Sequence, residues 1–209
     1  MADRPHWIFT DGTTLPVGTM YCIGRNYAAH AAEMGAAVPT DPIVFLKPPA
    51  AYAPTDSVIT LPSFSTNVHH EVELVVVMGS GRTIAGYAVG LDLTARDLQA
   101  TAKQRGEPWA TAKSWARSAP VSHVVPASQI GHGPFTISLD VNGEERQHGS
   151  TAMMERSIPI LVDYLDGIFT LQEGDCIFTG TPEGVARVVA GDVATARLDD
   201  SITLTVRFI

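Results

Sequence analysis

Cysteine is nearly absent: Cys22 and Cys176 are the only two in 209 residues. They make no disulfide framework and no Cys-x-x-Cys spacing, which excludes a stapled secreted scaffold and a thiolate metal cluster. Both read as small core residues of a reduced, cytoplasmic chain. Charge is also scarce, at 17% of residues. The positive kind is scarcer, since 14 Lys and Arg against 22 Asp and Glu leave a net charge of −8. Nucleic acid and anionic membrane surfaces both select for clustered cations, so neither is an expected partner. No long apolar run exists; Leu74 to Met78 is the longest plain stretch, far below the ~20 residues of a membrane span. The start, Met-Ala-Asp-Arg-Pro-His, lacks an apolar segment and places Asp3 where a leader would carry positive charge.

What is present is an ordinary core-forming share of apolar residues, 45%, in a length that suits one domain. We expect residues 1–20 to be an extension packed on a catalytic domain of residues 21–209. The 18 Gly and 14 Pro are scattered, implying many turns and short elements. Strands are expected at Met20 to Ile23, Ile43 to Leu46, Glu71 to Val77, Gly86 to Leu93, Phe135 to Val141, Cys176 to Thr179 and Ile202 to Ile209. Asn142-Gly143 marks a hairpin turn. Helices are expected at Asn26 to Met34, stopped by Gly35, at Ala95 to Arg105, stopped by Gly106, and at Ser157 to Leu165, with Ser157 as a possible cap. The fold class is therefore α+β, mainly β.

One expected strand is anomalous. Side chains alternate along His70-Glu71-Val72-Glu73-Leu74-Val75-Val76-Val77, so Glu71 and Glu73 share a face with Val75 and Val77. Their Cα atoms would lie about 6.5–7 Å apart. Two carboxylates facing a closed interior need a counter-charge. The other reading is an edge strand with both Glu facing water. Asp92 ends another apolar strand and could complete a triad. Three carboxylates are hard ligands that suit Mg²⁺, Mn²⁺ or Ca²⁺ rather than Zn²⁺.

A second stretch pairs His30 with Glu33 at i,i+3 on a short helix of small residues. A carboxylate beside an imidazole orients it and raises its basicity, as a water-activating base requires. The small alanines around the pair fit a mobile lid. An exposed pair without consequence has the same spacing.

Taken in order, several stretches resemble the fumarylacetoacetate hydrolase family, within it the short acylpyruvate hydrolase and oxaloacetate decarboxylase branch. They are Gly24-Arg25-Asn26-Tyr27 with His30 and Glu33, Phe45-Leu46-Lys47-Pro48, His69-His70-Glu71-Val72-Glu73-Leu74 and Leu91-Asp92-Leu93-Thr94-Ala95-Arg96-Asp97-Leu98-Gln99. Ala112-Lys113-Ser114, Pro120-Val121-Ser122, Val141-Asn142-Gly143-Glu144 and Thr179-Gly180-Thr181-Pro182 complete the set.

The resemblance implies a mixed β-sandwich roll with a few short helices, assembled as a homodimer. It makes Glu71, Glu73 and Asp92 the ligands of Mg²⁺ or Mn²⁺, Lys113 a cationic partner of the substrate oxygens, and His30 and Glu33 the water-activating dyad. Arg25, Gln99 and Thr181 would contact the substrate, a small 2-keto or 1,3-diketo acid. Lys47, before Pro48-Pro49, would have a structural role, with shaping of the pocket as the alternative, and Arg96 and Asp97 would form a structural ion pair or cap. The implied reaction is hydrolysis of a 3-acylpyruvate to pyruvate and a carboxylic acid. Oxaloacetate decarboxylation or 2-keto-enol tautomerisation are the alternatives at the same metal. Two departures accompany the resemblance. Only about twenty residues precede the first motif, which disfavours the tyrosine-catabolic activity of longer members with an extra N-terminal domain. Glu183 stands where relatives often have Lys, and beside the pocket it would disfavour an extra substrate carboxylate.

Overall fold

The computed structural model describes residues 4–35 and 37–209. The start of the chain, with Asp3, lies outside the described residues. The architecture is mainly β, as expected, with short helices between strands. A mixed eight-stranded sheet runs in the spatial order Ile43–Lys47, Met20–Gly24, Cys176–Phe178, Val72–Met78, Ile84–Leu91, Ala119–Val121, Tyr52–Pro54, with Val125–Pro126 also pairing on Ile84–Leu91. A five-stranded sheet runs Glu144–Ser150, Thr136–Val141, Val193–Leu198, Ile202–Phe208, Ser57–Ile59.

The alternation in Val72–Met78 explains how these layers pack. Val72, Leu74 and Val76 join Ile137, Leu139, Ala196, Leu204 and Val206 of the second sheet in one apolar cluster. Val75 and Val77 face the other way, onto Met20, Cys176, Phe178 and Trp7. The strand is central and covered on both faces, so an edge strand with two Glu in water is excluded. Trp7 belongs to the short ribbon formed by His6–Ile8 and Thr14–Pro16, and its indole N–H donates to the Gly174 carbonyl at 2.7 Å. Both cysteines are buried free thiols. Among the described residues no helix is long and apolar enough to cross a membrane.

Most expected elements are present, with edges moved by a residue or two. The Asn142-Gly143 turn joins Val141 to Glu144 with φ of 55° and 82°, the left-handed pair a tight hairpin requires. Gly35 and Gly106 take positive φ just past their helices. Two expectations need correction. The strand written as Glu71 to Val77 begins at Val72, and a separate strand, Val68–His70, precedes it, so Glu71 stands in the break. The last long helix is Ile158–Phe169 rather than Ser157 to Leu165, and Ser157 makes no side-chain cap bond. Leu161, Val162 and Leu165 pack on the core, and the extra turn ends with the Phe169 ring 5.0 Å from that of Tyr21.

Candidate active site

Strand register brings the three carboxylates together. Val72 pairs with Leu91 and Glu73 with Gly90, and the Asp92 N–H donates to the Glu71 carbonyl at 2.8 Å. Asp92 thus lies across from Glu71 just beyond the paired ends. Gly90 permits this packing: a Cβ there would come within 2.8 Å of both Phe178 and Val75. One ligand-type oxygen from each of Glu71, Glu73 and Asp92 lies within 4.8 Å of the others, and all three residues are buried.

Three cations answer them. Lys113 Nζ lies 2.8 Å from Glu71 Oε2 and also contacts Asp92 Oδ2. Arg96 Nη2 lies 2.6 Å from Glu71 Oε1. Lys47 Nζ, wholly buried, lies 3.0 Å from Asp92 Oδ1. It also donates to Ser118 Oγ at 2.9 Å and to the carbonyl of Lys113. Burial would push the Glu71 carboxyl up, but Lys113 and then Arg96 outweigh it and hold the group well below the usual carboxylate range. Burial likewise disfavours the Lys113 ammonium, yet Asp92 and Glu71 raise its pKa above that of a free lysine. Glu73 is the exception. Burial, then the negative Asp92 and Glu71, push its carboxyl well above the ordinary range. Glu73 Oε2 accepts the Gly180 N–H at 2.7 Å, and no ion pair to it occurs among the described residues. Asp92 Oδ1 is buried, and Lys47, its ion-pair neighbour at 3.0 Å, lies outside hydrogen-bond geometry, which leaves a lone pair open. A buried carboxyl starved of positive charge beside an open carboxylate lone pair fits a hard divalent cation, and the all-oxygen donor set fits Mg²⁺ or Mn²⁺. Lys47→Met is expected to destabilise the protein by about 3–5 kcal/mol, because Asp92 loses a buried partner. Urea denaturation checks this; an unchanged midpoint would show that Lys113 alone satisfies Asp92.

The dyad lies on the same cavity. The helix Ala28–Glu33 buries His30 and Ala31, and His30 Nδ1 stands 3.2 Å from Glu33 Oε2. The Gly184 N–H donates to Glu33 at 3.1 Å. That loop is held from beneath by Gln147, whose amide N–H groups donate to Thr181 Oγ1 at 2.8 Å and to the Pro182 carbonyl at 2.9 Å. Gln147 Oε1 accepts the Val72 N–H at 3.0 Å and lies 2.9 Å from His70 Nδ1. Burial lowers the His70 pKa, so a neutral ring donating from Nδ1 fits this acceptor. Gln147 therefore links the strand beside Glu73 to the loop that steadies Glu33.

A small cavity of about 40 Å³ is lined by His30, Glu71, Glu73, Asp92, Lys113, Arg25, Gln99 and Thr181 among others. Every residue singled out in the sequence as a ligand or catalytic group, except Glu33, reaches this wall; Glu33 stands behind His30. Gln99 is buried and accepts from Arg96 Nη1 at 2.8 Å, leaving its amide protons to donate. Arg96 has a larger part than a cap, since it lines the cavity and pairs with Glu71. Asp97 keeps a structural part, accepting from Ser65 Oγ and the Thr66 N–H. Glu183 is exposed and lines an outer groove with Tyr27 and Pro182, so the expected bias against a substrate carboxylate does not arise. Lys103, Trp109 and Gln147 were not legible as site residues, for they sit on unremarkable polar or apolar stretches.

Residues 19–209 match the family described as fumarylacetoacetate (FAA) hydrolase C-terminal. The chain belongs to the fumarylacetoacetate hydrolase family. It is 43% identical over 196 residues to the oxaloacetate tautomerase YcgM of Escherichia coli, covering 88% of this chain and 90% of that one. It is 45% identical over 195 residues to the human mitochondrial oxaloacetate tautomerase FAHD1, covering 88% of each. Among solved structures, a fumarylpyruvate hydrolase from Pseudomonas aeruginosa in complex with Mn²⁺ and pyruvate superposes with a TM-score of 0.93. The two are 39% identical, with 99% of this chain and 96% of that one covered. The likeness to that structure covers both of the larger sheets.

Proposed function

We propose that this chain is a divalent-cation-dependent enzyme of 2-keto acids, and that its reaction is the keto–enol tautomerisation of oxaloacetate. The observation that carries the reading is one cavity lined by Glu71, Glu73 and Asp92 together with His30, which Glu33 backs at 3.2 Å. The tautomerase names of relatives at 43% and 45% identity support the choice of substrate. Bound by the three carboxylates, Mg²⁺ or Mn²⁺ would act as a Lewis acid toward the carboxylate and keto oxygens of a 2-keto acid and favour its enolate.

The chain's own residues do the rest. Lys113 places a permanent positive charge beside the developing oxyanion. Gln99 and Thr181 present an amide and a hydroxyl to the substrate's oxygens, and Gln147 fixes the Thr181 hydroxyl by donating to it. His30 takes the proton from C3, and Glu33 steadies the imidazolium that forms. The electron pair moves onto the oxygen at C2, which takes a proton from water to give the enol, while the His30 imidazolium returns its proton to water, so no net proton is gained or lost. The reverse sequence returns the ketone.

A second reading, hydrolysis of a 3-acylpyruvate, draws on the same dyad and on the likeness to fumarylpyruvate hydrolase. Here His30 would take a proton from water, and the hydroxide would add to the distal carbonyl. The C–C bond would then break to release a carboxylic acid and the enol of pyruvate. A homodimer is part of the reading, checked by light scattering.

One assay separates the reactions. With Mg²⁺ present, enol absorbance and pyruvate are followed together for oxaloacetate, acetylpyruvate, fumarylpyruvate and maleylpyruvate. Tautomerisation changes the enol signal of oxaloacetate without pyruvate, and decarboxylation yields pyruvate from oxaloacetate. Hydrolysis yields pyruvate from the acylpyruvates. No response to any of the four would sink the proposal.

A further inference from the structure

Four cations line the cavity, and they divide into two pairs. Lys113 and Arg96 are engaged by Glu71 and Asp92. Arg25 and Lys103 make no ion pair among the described residues, although both line the same cavity. Lys103 belongs to the last turn of the helix Arg96–Arg105, and its Nζ sits 5.1 Å from the centre of the Trp109 ring. Trp109, half-buried, packs against the half-buried Phe45 with ring centres 6.1 Å apart, which fixes the ring on which the exposed Lys103 side chain stands. Arg25 holds a left-handed backbone, φ 59°, which a non-glycine residue adopts only when its surroundings impose it.

We infer that Lys103, seated on Trp109 beside Arg25, is a specificity-determining residue that selects substrates carrying a second carboxylate at the end remote from the keto acid. The inference rests on the function proposed above, because it takes the keto-acid end to lie at Glu71, Glu73 and Asp92. Charge makes the argument. Lys47, Lys113 and Arg96 equal Glu71, Glu73 and Asp92 in formal charge, although their ion pairs are with Glu71 and Asp92 alone. A divalent cation then adds two positive charges, and the carboxylate and enolate oxygens of a bound 2-keto acid cancel them. Arg25 and Lys103 remain as surplus positive charge lining the same cavity. Desolvation, followed by Arg96 and Arg25, lowers the Lys103 pKa, as a locally positive field demands. Such a field is unfavourable when the site is empty and favourable when an anion enters. The Trp109 face limits where the ammonium can stand without neutralising it. Glu183, the one acid that seemed set to oppose a distal carboxylate, lies in the outer groove.

The test compares two pairs of ligands that differ only in a carboxylate for a methyl group: oxaloacetate against 2-oxobutanoate, and 2-oxoglutarate against 2-oxopentanoate. Binding of the second pair to the Mg²⁺-loaded protein is measured by calorimetry, and turnover of the first by enol absorbance. The wild type should prefer the dicarboxylate at least about tenfold, the effect of one charged partner. Lys103→Gln should reduce that preference to about threefold or less, while Lys103→Arg should retain most of it. Equal loss on both members of a pair, or a preference unchanged in Lys103→Gln, overturns the inference and leaves the tautomerase reading standing if oxaloacetate is turned over. Selective binding that disappears in Lys103→Gln, in a protein that turns over none of the keto acids, sinks the tautomerase reading and sustains the selector. A wild type that binds both members alike overturns the inference outright.

Discussion

Glu73→Gln is expected to remove divalent-cation binding and turnover together, lowering cation affinity by about three orders of magnitude. The substitution takes away one of three clustered carboxylates and leaves a neutral amide of the same shape. It should not unfold the protein. The fold opposes ionisation of the Glu73 carboxyl, through burial and the neighbouring Asp92 and Glu71. Without added cation, the variant should therefore be at least as stable as the wild type at neutral pH. The gain in Tm on adding Mg²⁺ should vanish.

The same shift sets a pH dependence. The folded pKa of Glu73 lies above its unfolded value, so between the two the folded state binds more protons. Its favourable contribution is full below that window and is lost as pH rises through it. A cation needs the carboxylate, so its binding releases a proton there and tightens as pH rises. Calorimetry in two buffers of different ionisation enthalpy measures that proton. An unchanged affinity and proton release in the variant would remove Glu73 from the ligand set.

His30→Ala is expected to lower tautomerisation and acylpyruvate hydrolysis by about 10²–10⁴-fold, the usual contribution of a positioned base. Cation affinity should stay within about threefold of wild type, because His30 touches none of the three carboxylates by hydrogen bond or ion pair. Decarboxylation of oxaloacetate should survive, since CO₂ leaves without attack by water. This split distinguishes a lost base from a collapsed site, which would depress all three. Full hydrolytic activity in the variant would take the base role from His30.

Much of this site was legible as short-range pattern. The alternation expected from Glu71 to Val77 pointed to Glu71 and Glu73 as a pair, although Glu71 lies just outside the strand Val72–Met78, and i,i+3 spacing put His30 beside Glu33. Both follow from local geometry, which sequence spacing encodes directly. The glycines after the first two helices and the Asn142-Gly143 turn were readable for the same reason. Boundaries were less so. Glu71 falls in a break between two strands because Val68–His70 pairs with Thr94–Ala95 and Ala186–Arg187 in a sheet of its own, while Val72–Met78 pairs with Ile84–Leu91. That choice is made by partners distant in the chain. Gln147 was invisible in the polar strand Glu144–Ser150, whose other residues are exposed or half-buried.

By itself, the sequence determined the fold class, the absence of disulfides and of an apolar span, the pairing of Glu71 and Glu73, and, through the ordered motifs, the family. Only the tertiary structure decided whether Asp92 joins them, because that depends on a register in which its N–H meets the Glu71 carbonyl. It also decided that the acidic cluster is balanced rather than merely acidic. Lys47, Arg96 and Lys113 arrive from three separate segments, and no spacing links them to the carboxylates they neutralise. Charge balance in a buried site is a sum over distances through space, and a chain read in one dimension carries the charges but not the distances.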